Sequence, residues 1–187
     1  MIADALAQKV MEAGLENGAD LAEIYVEDRA SLRLRLDDGK LEDATRGHDR
    51  GAGVRVFYGG TAAYAYTDDL GEQSLLAAAR AAAAAARTST RNRVADLTRR
   101  RHALDLSYQK PFEAMSVAAK AELMHKLDAT MRDYDPRIVQ AVVLMGHLNR
   151  RVWLWNSDGL CVEDDRNLIE MRVVAIAQQF EPHLSPK

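Results

Sequence analysis

Apolar residues spaced three and four apart open the chain. Leu6, Val10, Met11 and Ala13 recur among Asp4, Gln8, Glu12 and Glu16, and Asn17-Gly18 supplies a stop, so the spacing predicts an amphipathic helix from Ala3 to Glu16. The period then changes to two. Ile24 and Val26 alternate with Glu23, Tyr25 and Glu27, and Leu32, Leu34 and Leu36 alternate with Arg33 and Arg35, the pattern of strands with one wetted face. Asp38-Gly39, between Leu36 and Leu41, and Gly59-Gly60, between Val56 and Tyr64, fit type I′ turns, which need positive φ at both central positions. Residues 21–67 therefore read as an antiparallel meander.

Asp69, with Glu72 three residues on, reads as a capping box for an alanine-dominated helix running from Leu75 to Arg87. Periodicity is lost over 88–101, where Arg91, Arg93, Arg99, Arg100 and Arg101 crowd together behind Arg87, and this stretch is predicted to be a polar linker. Ser116 is the expected N-cap of a third helix whose stripe is Val117, Ala121, Met124, Leu127, Met131 and Tyr134, ended by Asp135-Pro136. Ile138 to Met145 is apolar on both faces, as in a central strand. Arg151 to Trp155 and Leu160 to Val162 flank a second Asp-Gly turn at Asp158-Gly159, and Leu168 to Ala177 gives a last strand. The fold class is α+β: a mainly antiparallel sheet of two meanders with about three amphipathic helices packed on it. One domain over 1–180 is expected, followed by an unstructured tail at 181–187.

Composition narrows the function classes. With 48% apolar residues, 28% charged residues and a net charge of −3, the chain is neither disordered nor a globally basic nucleic-acid binder. Cys161 is the single cysteine, which excludes an intrachain disulfide and any multi-cysteine site and suits a reducing cytosol. Met1-Ile2-Ala3-Asp4 lacks the basic residues of a signal peptide, and no apolar run approaches the ~18 residues of a membrane span. A soluble, cytoplasmic protein without membrane contact is expected.

Zinc hydrolysis needs two histidines one helical turn apart, a third ligand nearby and a glutamate to deprotonate the bound water. His48, His102, His125, His147 and His183 form no such pattern, and ordinary surface or core positions are expected for them. Cys161 lies inside an apolar strand pattern and reads as a packed, inert thiol. Gly51-x-Gly53 opens a strand rather than a helix, so a bulge or turn is expected there and not a phosphate loop. The pairs Asp37-Asp38, Asp68-Asp69 and Asp164-Asp165 read as solvated turn carboxylates. No catalytic and no metal-binding residue is expected in this chain.

Two interaction candidates remain. The arginines between Arg87 and Arg101 could meet phosphates, and Arg150-Arg151 beside Trp153 and Trp155 could offer charge and stacking faces, although a polar linker and strand packing under a helix are the plainer readings. Nucleic acid is not the favoured partner. Trp153, Trp155 and Arg151 are the candidates for a partner or substrate surface.

Asp49-Arg50-Gly51-Ala52-Gly53-Val54-Arg55-Val56, followed by the stretch from Gly59 to Leu70 and then the alanine-rich helix, resembles the amino-terminal signature of the TldD/PmbA family. The resemblance extends upstream over Gly18 to Val26 and downstream through Met115-Ser116, Asp158-Gly159 and Arg172-Val173-Val174, and it is more similar to the TldD branch. It implies a cytoplasmic zinc metalloprotease that degrades or trims unstructured peptides, assembled as a dimer with a TldE/PmbA-like subunit or with itself. The family's zinc ligands, in an HExxxH motif, belong to a carboxy-terminal domain following the matched region, so the resemblance assigns this chain no cofactor and no activity alone. The family is also described as a candidate modulator of DNA gyrase. The expected role is that of an amino-terminal domain serving subunit assembly and substrate admission, an open sheet edge accepting extended peptide as an added strand. A truncated relative acting as a stand-alone protein-binding module is the alternative, with a nucleic-acid or gyrase-associated role behind it.

Overall fold

The computed structural model of the protein describes residues 1–85, 98–99 and 112–178. Its elements are α1 (Asp4–Leu15), β1 (Leu21–Asp37), β2 (Lys40–Tyr58), β3 (Thr61–Thr67), α2 (Glu72–Ala85), β4 (Thr98–Arg99), a 3-10 turn (Phe112–Ala114), α3 (Val117–Tyr134), β5 (Ile138–Asn156) and β6 (Leu160–Ala177). The strands form a sheet in the order β3-β2-β1-β5-β6-β4. Five strands run antiparallel, and the two-residue β4 pairs parallel with Leu160 and Cys161 of β6. Asp38 N donates to Ala141 O (3.1 Å) and Ser157 N to Ala22 O (2.8 Å), so opposite ends of β1 and β5 meet in antiparallel register. The α+β class is the one the hydropathy pattern predicts.

Three strands are longer than their apolar alternation. β1 runs unbroken through Asp28-Arg29-Ala30-Ser31, and β5 and β6 each join two stretches that read separately in sequence. Period two is visible only where one face is buried, whereas the backbone ladder needs no side-chain pattern to continue. The arginine-rich stretch 88–101 falls outside the described residues except for Thr98–Arg99, and the tail 181–187 falls outside them entirely.

Local chemistry sets the ends. Asp38 (φ 50°) and Gly39 (φ 71°) form the I′ turn their sequence predicts. At the second Asp-Gly turn only Gly159 has positive φ (93°), and the Asn156 side chain accepts from Asp158 N (3.1 Å) and Leu160 N (2.9 Å) instead. Ser116 Oγ accepts from Ala119 N at 3.1 Å, the expected cap of α3. The box expected at α2 is built differently. Asp69 accepts from Gly71 N (2.9 Å) and from the Ser74 hydroxyl (2.6 Å), while Glu72 turns to Lys9 of α1 at 2.9 Å.

The chain divides into two compact units, and each long strand contributes a segment to both. Unit 1 is Met1–Ala30, His48–Leu106 and Asn149–Arg166, and unit 2 is Ser31–Gly47, Ser107–Leu148 and Asn167–Lys187. In unit 1, Val10 and Met11 of α1 and Leu75 and Ala79 of α2 close over Ile24, Val26, Val54, Val56 and Trp155, all fully buried. In unit 2 a smaller cluster gathers Leu34, Leu36, Val143 and Met145 around Met124 of α3.

Candidate functional site

Alternation decides which residues reach the uncovered face of unit 1. In β1, Ile24 and Val26 point into the core, so Glu23, Tyr25 and Glu27 point away from it; in β2, Val54 and Val56 are core, so Gly53 and Arg55 face out. β3 continues the rule. Ala63 and Ala65 pack against the core, while Tyr64 and Tyr66 stand 62% and 79% exposed with ring centroids 6.4 Å apart and planes inclined at 24°.

Gly51 and Gly53 sit inside regular β2, with Ala52 paired to Thr67 and Gly53 to Tyr66, and neither has positive φ. The bulge or turn expected there is thus corrected to plain strand, and space explains the Gly53 residue. A Cβ on Gly53 would lie 2.3 Å from Tyr64 Oη, so only glycine lets that ring lie across the strand. The result is a groove of about 340 Å³ bordered by Tyr25, Glu27, Gly53, Tyr64, Tyr66 and Asp68. A second depression of about 330 Å³ shares Tyr25, Gly53 and Tyr64 and reaches Glu23, Arg55 and Leu154.

Its polar groups are partly committed. Glu23 accepts from Arg55 Nε (3.0 Å) and Nη2 (2.5 Å), and that guanidinium lies 4.9 Å above the Phe57 ring. The Tyr25 hydroxyl donates to Glu27, which also has Arg150 Nη1 at 3.9 Å. Burial, and then the Glu27 carboxylate, push the Tyr25 phenol up to about 12. Asp49, Arg50 and Asp68 rim the same groove.

The surface expected at Trp153 and Trp155 is corrected by their burial. Both lie in the unit 1 core, 5% and 0% exposed, and Trp155 Nε1 donates to Asp4 Oδ1 at 3.2 Å. Their shared strand face is the one under the helices, where an indole fills more volume than any other side chain. Arg151 does stay at the surface, 3.3 Å from Asp165. Cys161 is buried in the same core as a free thiol. His48 pairs with Asp28 at 2.8 Å, and buried His147 has Glu113 at 3.1 Å and Asn167 at 3.3 Å, whereas His102 and His183 lie outside the described residues. Among the described residues no three His, Cys, Asp or Glu side chains gather as a metal site. The tyrosine groove was not singled out in the sequence, although Tyr25, Tyr64 and Tyr66 all stand at outward positions of alternating strands.

An α+β domain on long antiparallel strands, with one sheet face left open as a groove, is the class that fold and site define. The PmbA/TldA metallopeptidase domain 1 model matches residues 22–86 and the central-domain model matches 110–183, and the chain belongs to the PmbA/TldD metallopeptidase family. It is 25% identical over 167 residues to a metalloprotease TldD homolog of Haemophilus influenzae, covering 86% of this chain and 34% of that one. A TldD homolog of Buchnera aphidicola is 21% identical over 160 residues, with 86% and 33% covered. The chain thus spans about a third of the length of these relatives. Among solved structures, a candidate modulator of a DNA gyrase from Thermotoga maritima shares the fold with a TM-score of 0.74 at 18% identity, over 95% of this chain and 40% of that one. TldE from Thermococcus kodakarensis does so at 0.65 and 16% identity, over 93% and 40%.

Proposed function

We propose that this chain is the substrate-admitting and subunit-assembling part of a TldD-like zinc metalloprotease that degrades or trims unstructured peptides. The observation that carries the reading is the groove on the open face of unit 1: aromatic walls over a glycine floor suit an extended chain and have no room for a folded domain. Zinc does not fit here. Of the described histidines, His48 is held by Asp28 and His147 by Glu113 and Asn167, while His125 stands exposed on α3 away from both pairs in sequence; on this reading the metal and the catalytic groups belong elsewhere in such an enzyme.

Assembly has its own support. Leu168, Ile169, Met171, Val173, Val174 and Ile176 of β6 are all exposed, more apolar side chain than one strand leaves in water without a partner to cover it. A TldE/PmbA-like subunit is the partner this reading expects, and a second copy is the alternative. The same strand also favours, as the second reading, a stand-alone protein-binding module. The single cysteine supports a reducing cytosol as the compartment.

Fluorescence anisotropy of a labelled unstructured peptide tests the groove. The chain binds it, and Gly53→Val, which fills the floor and displaces the movable Tyr64 ring, weakens binding about tenfold or more. Unchanged binding by Gly53→Val removes the groove from the mechanism and leaves the protein-binding module as the better reading.

A further inference from the structure

The rim of the groove has a charge pattern that peptide admission alone does not need. Glu27, Asp49 and Asp68 border it with Arg50, while Arg150 and Arg166, whose charges reach Tyr25, are paired with Glu27 and Asp164. Glu27 is already engaged by the Tyr25 hydroxyl and faced by Arg150. The side chains of Asp49 and Asp68 make no hydrogen bond or ion pair with any described residue, so their charge is left for whatever enters. Tyr64 and Tyr66 border the same groove, and their stacked, exposed rings present the negative face of an aromatic quadrupole. Gly53 yields its space to the Tyr64 ring and Gly51 adds no side chain beside it, so a long residue's aliphatic stem would lie against the ring rather than on the strand.

Resting on the peptide-admitting reading above, we propose that the groove selects extended peptides by a cationic side chain, an arginine or lysine laid against Tyr64 and Tyr66 with its charge turned to Asp68 and Asp49. Ring face and free carboxylate reinforce each other, because both favour the same sign of charge at the same place. An acidic side chain is repelled by the same rim. A neutral polar one gains only the stacking contact. Arg50, beside Asp49, limits the preference to a moderate one, since part of the rim's negative charge is offset before a ligand arrives.

The test compares three fluorescein-labelled glycine-serine peptides on the 187-residue chain by anisotropy, bearing arginines, citrullines or glutamates at the same positions. The arginine peptide binds about tenfold tighter than the citrulline peptide and the glutamate peptide binds weakest. The gap between arginine and citrulline narrows as salt is raised, because the rim is exposed. Asp49→Asn with Asp68→Asn closes most of it. Tyr66→Ala lowers the affinity for the arginine peptide while Tyr66→Phe keeps it, since the ring face and not the hydroxyl makes the contact. All these positions are exposed, so the fold survives each change. Equal affinity for arginine and citrulline peptides overturns cation selection and leaves peptide admission standing, whereas absence of binding by every peptide overturns both. A gap that survives Asp49→Asn with Asp68→Asn overturns the site as drawn.

Discussion

Unit 1 and unit 2 share four strands and differ in how they bury them. In unit 1 two helices close over the sheet, and even the largest side chain, Trp155, is fully buried. In unit 2 a single described helix supplies Met124 to Leu34, Leu36, Val143 and Met145, while the end of β6 leaves six large apolar side chains in water. Unit 1 holds its own core; unit 2 presents a surface that calls for cover. The larger buried core and the proposed association surface therefore lie in different parts of one sheet.

The strongest way to break that contrast is to empty each core in turn. Trp155→Ala removes the largest buried side chain, at a cost of about 3–5 kcal/mol; Met124→Ala, in the smaller cluster that can collapse more easily, costs about 2–3 kcal/mol. Amide hydrogen exchange reads the result by unit. Trp155→Ala strips protection from α1 and α2, and Met124→Ala strips it from α3. Equal loss across all three helices after either change would show one cooperative core and end the distinction.

The surface of unit 2 gives a smaller effect on folding and a larger one on association. Ile169→Lys with Val173→Lys, both exposed on β6, shifts the urea midpoint by no more than about 0.5 kcal/mol equivalent. Sedimentation of the chain, alone and with a TldE-like subunit, then moves toward monomer. Unaltered sedimentation in both mixtures would remove β6 from the assembly surface.

Capping sharpens the comparison at the scale of single hydrogen bonds. α3 of unit 2 begins at Ser116, whose hydroxyl satisfies Ala119 N, whereas α1 of unit 1 begins at Ala3 with no side-chain cap. Ser116→Ala costs about 1 kcal/mol, and Ala3→Ser returns a few tenths to about 1 kcal/mol to α1. Thermal unfolding of the two variants should move in opposite directions.

What the sequence makes legible follows the same division. α1, α2, α3, the Asp38-Gly39 turn and the Ser116 cap are all readable because each depends on residues close in sequence. The continuity of β1, β5 and β6 is not, since their middles are polar and carry no apolar alternation, the residue buried in the middle of β5 being His147. The spacing of Trp153 and Trp155 puts them on one strand face, but which face lies under a helix is a tertiary fact that spacing leaves open. The groove stays hidden for a related reason: Tyr25, Gly53 and Tyr64 come from three strands, and only the β2–β3 register brings Tyr64 over Gly53.

The smallest expected effect lies in the groove itself and concerns Tyr25. Its phenol is raised from an ordinary 10.0 to about 12, first by burial and then by the hydrogen bond it gives to Glu27. A folded-state value above the unfolded one means the native protein holds its proton where the unfolded chain has lost it. The stabilisation is therefore complete below about pH 10 and is lost as pH rises toward 12. Tyr25 is more than a third exposed, so solvent screens the effect and the change in stability is slight. Ultraviolet titration resolves it better than denaturation does. One tyrosine of the wild type ionises near pH 12 and does so earlier in Glu27→Gln, though still above the ordinary value because burial, the larger cause, remains. A return all the way to 10.0 in Glu27→Gln would make the carboxylate the main cause and would mean that Tyr25 faces water more freely than a wall of the groove should.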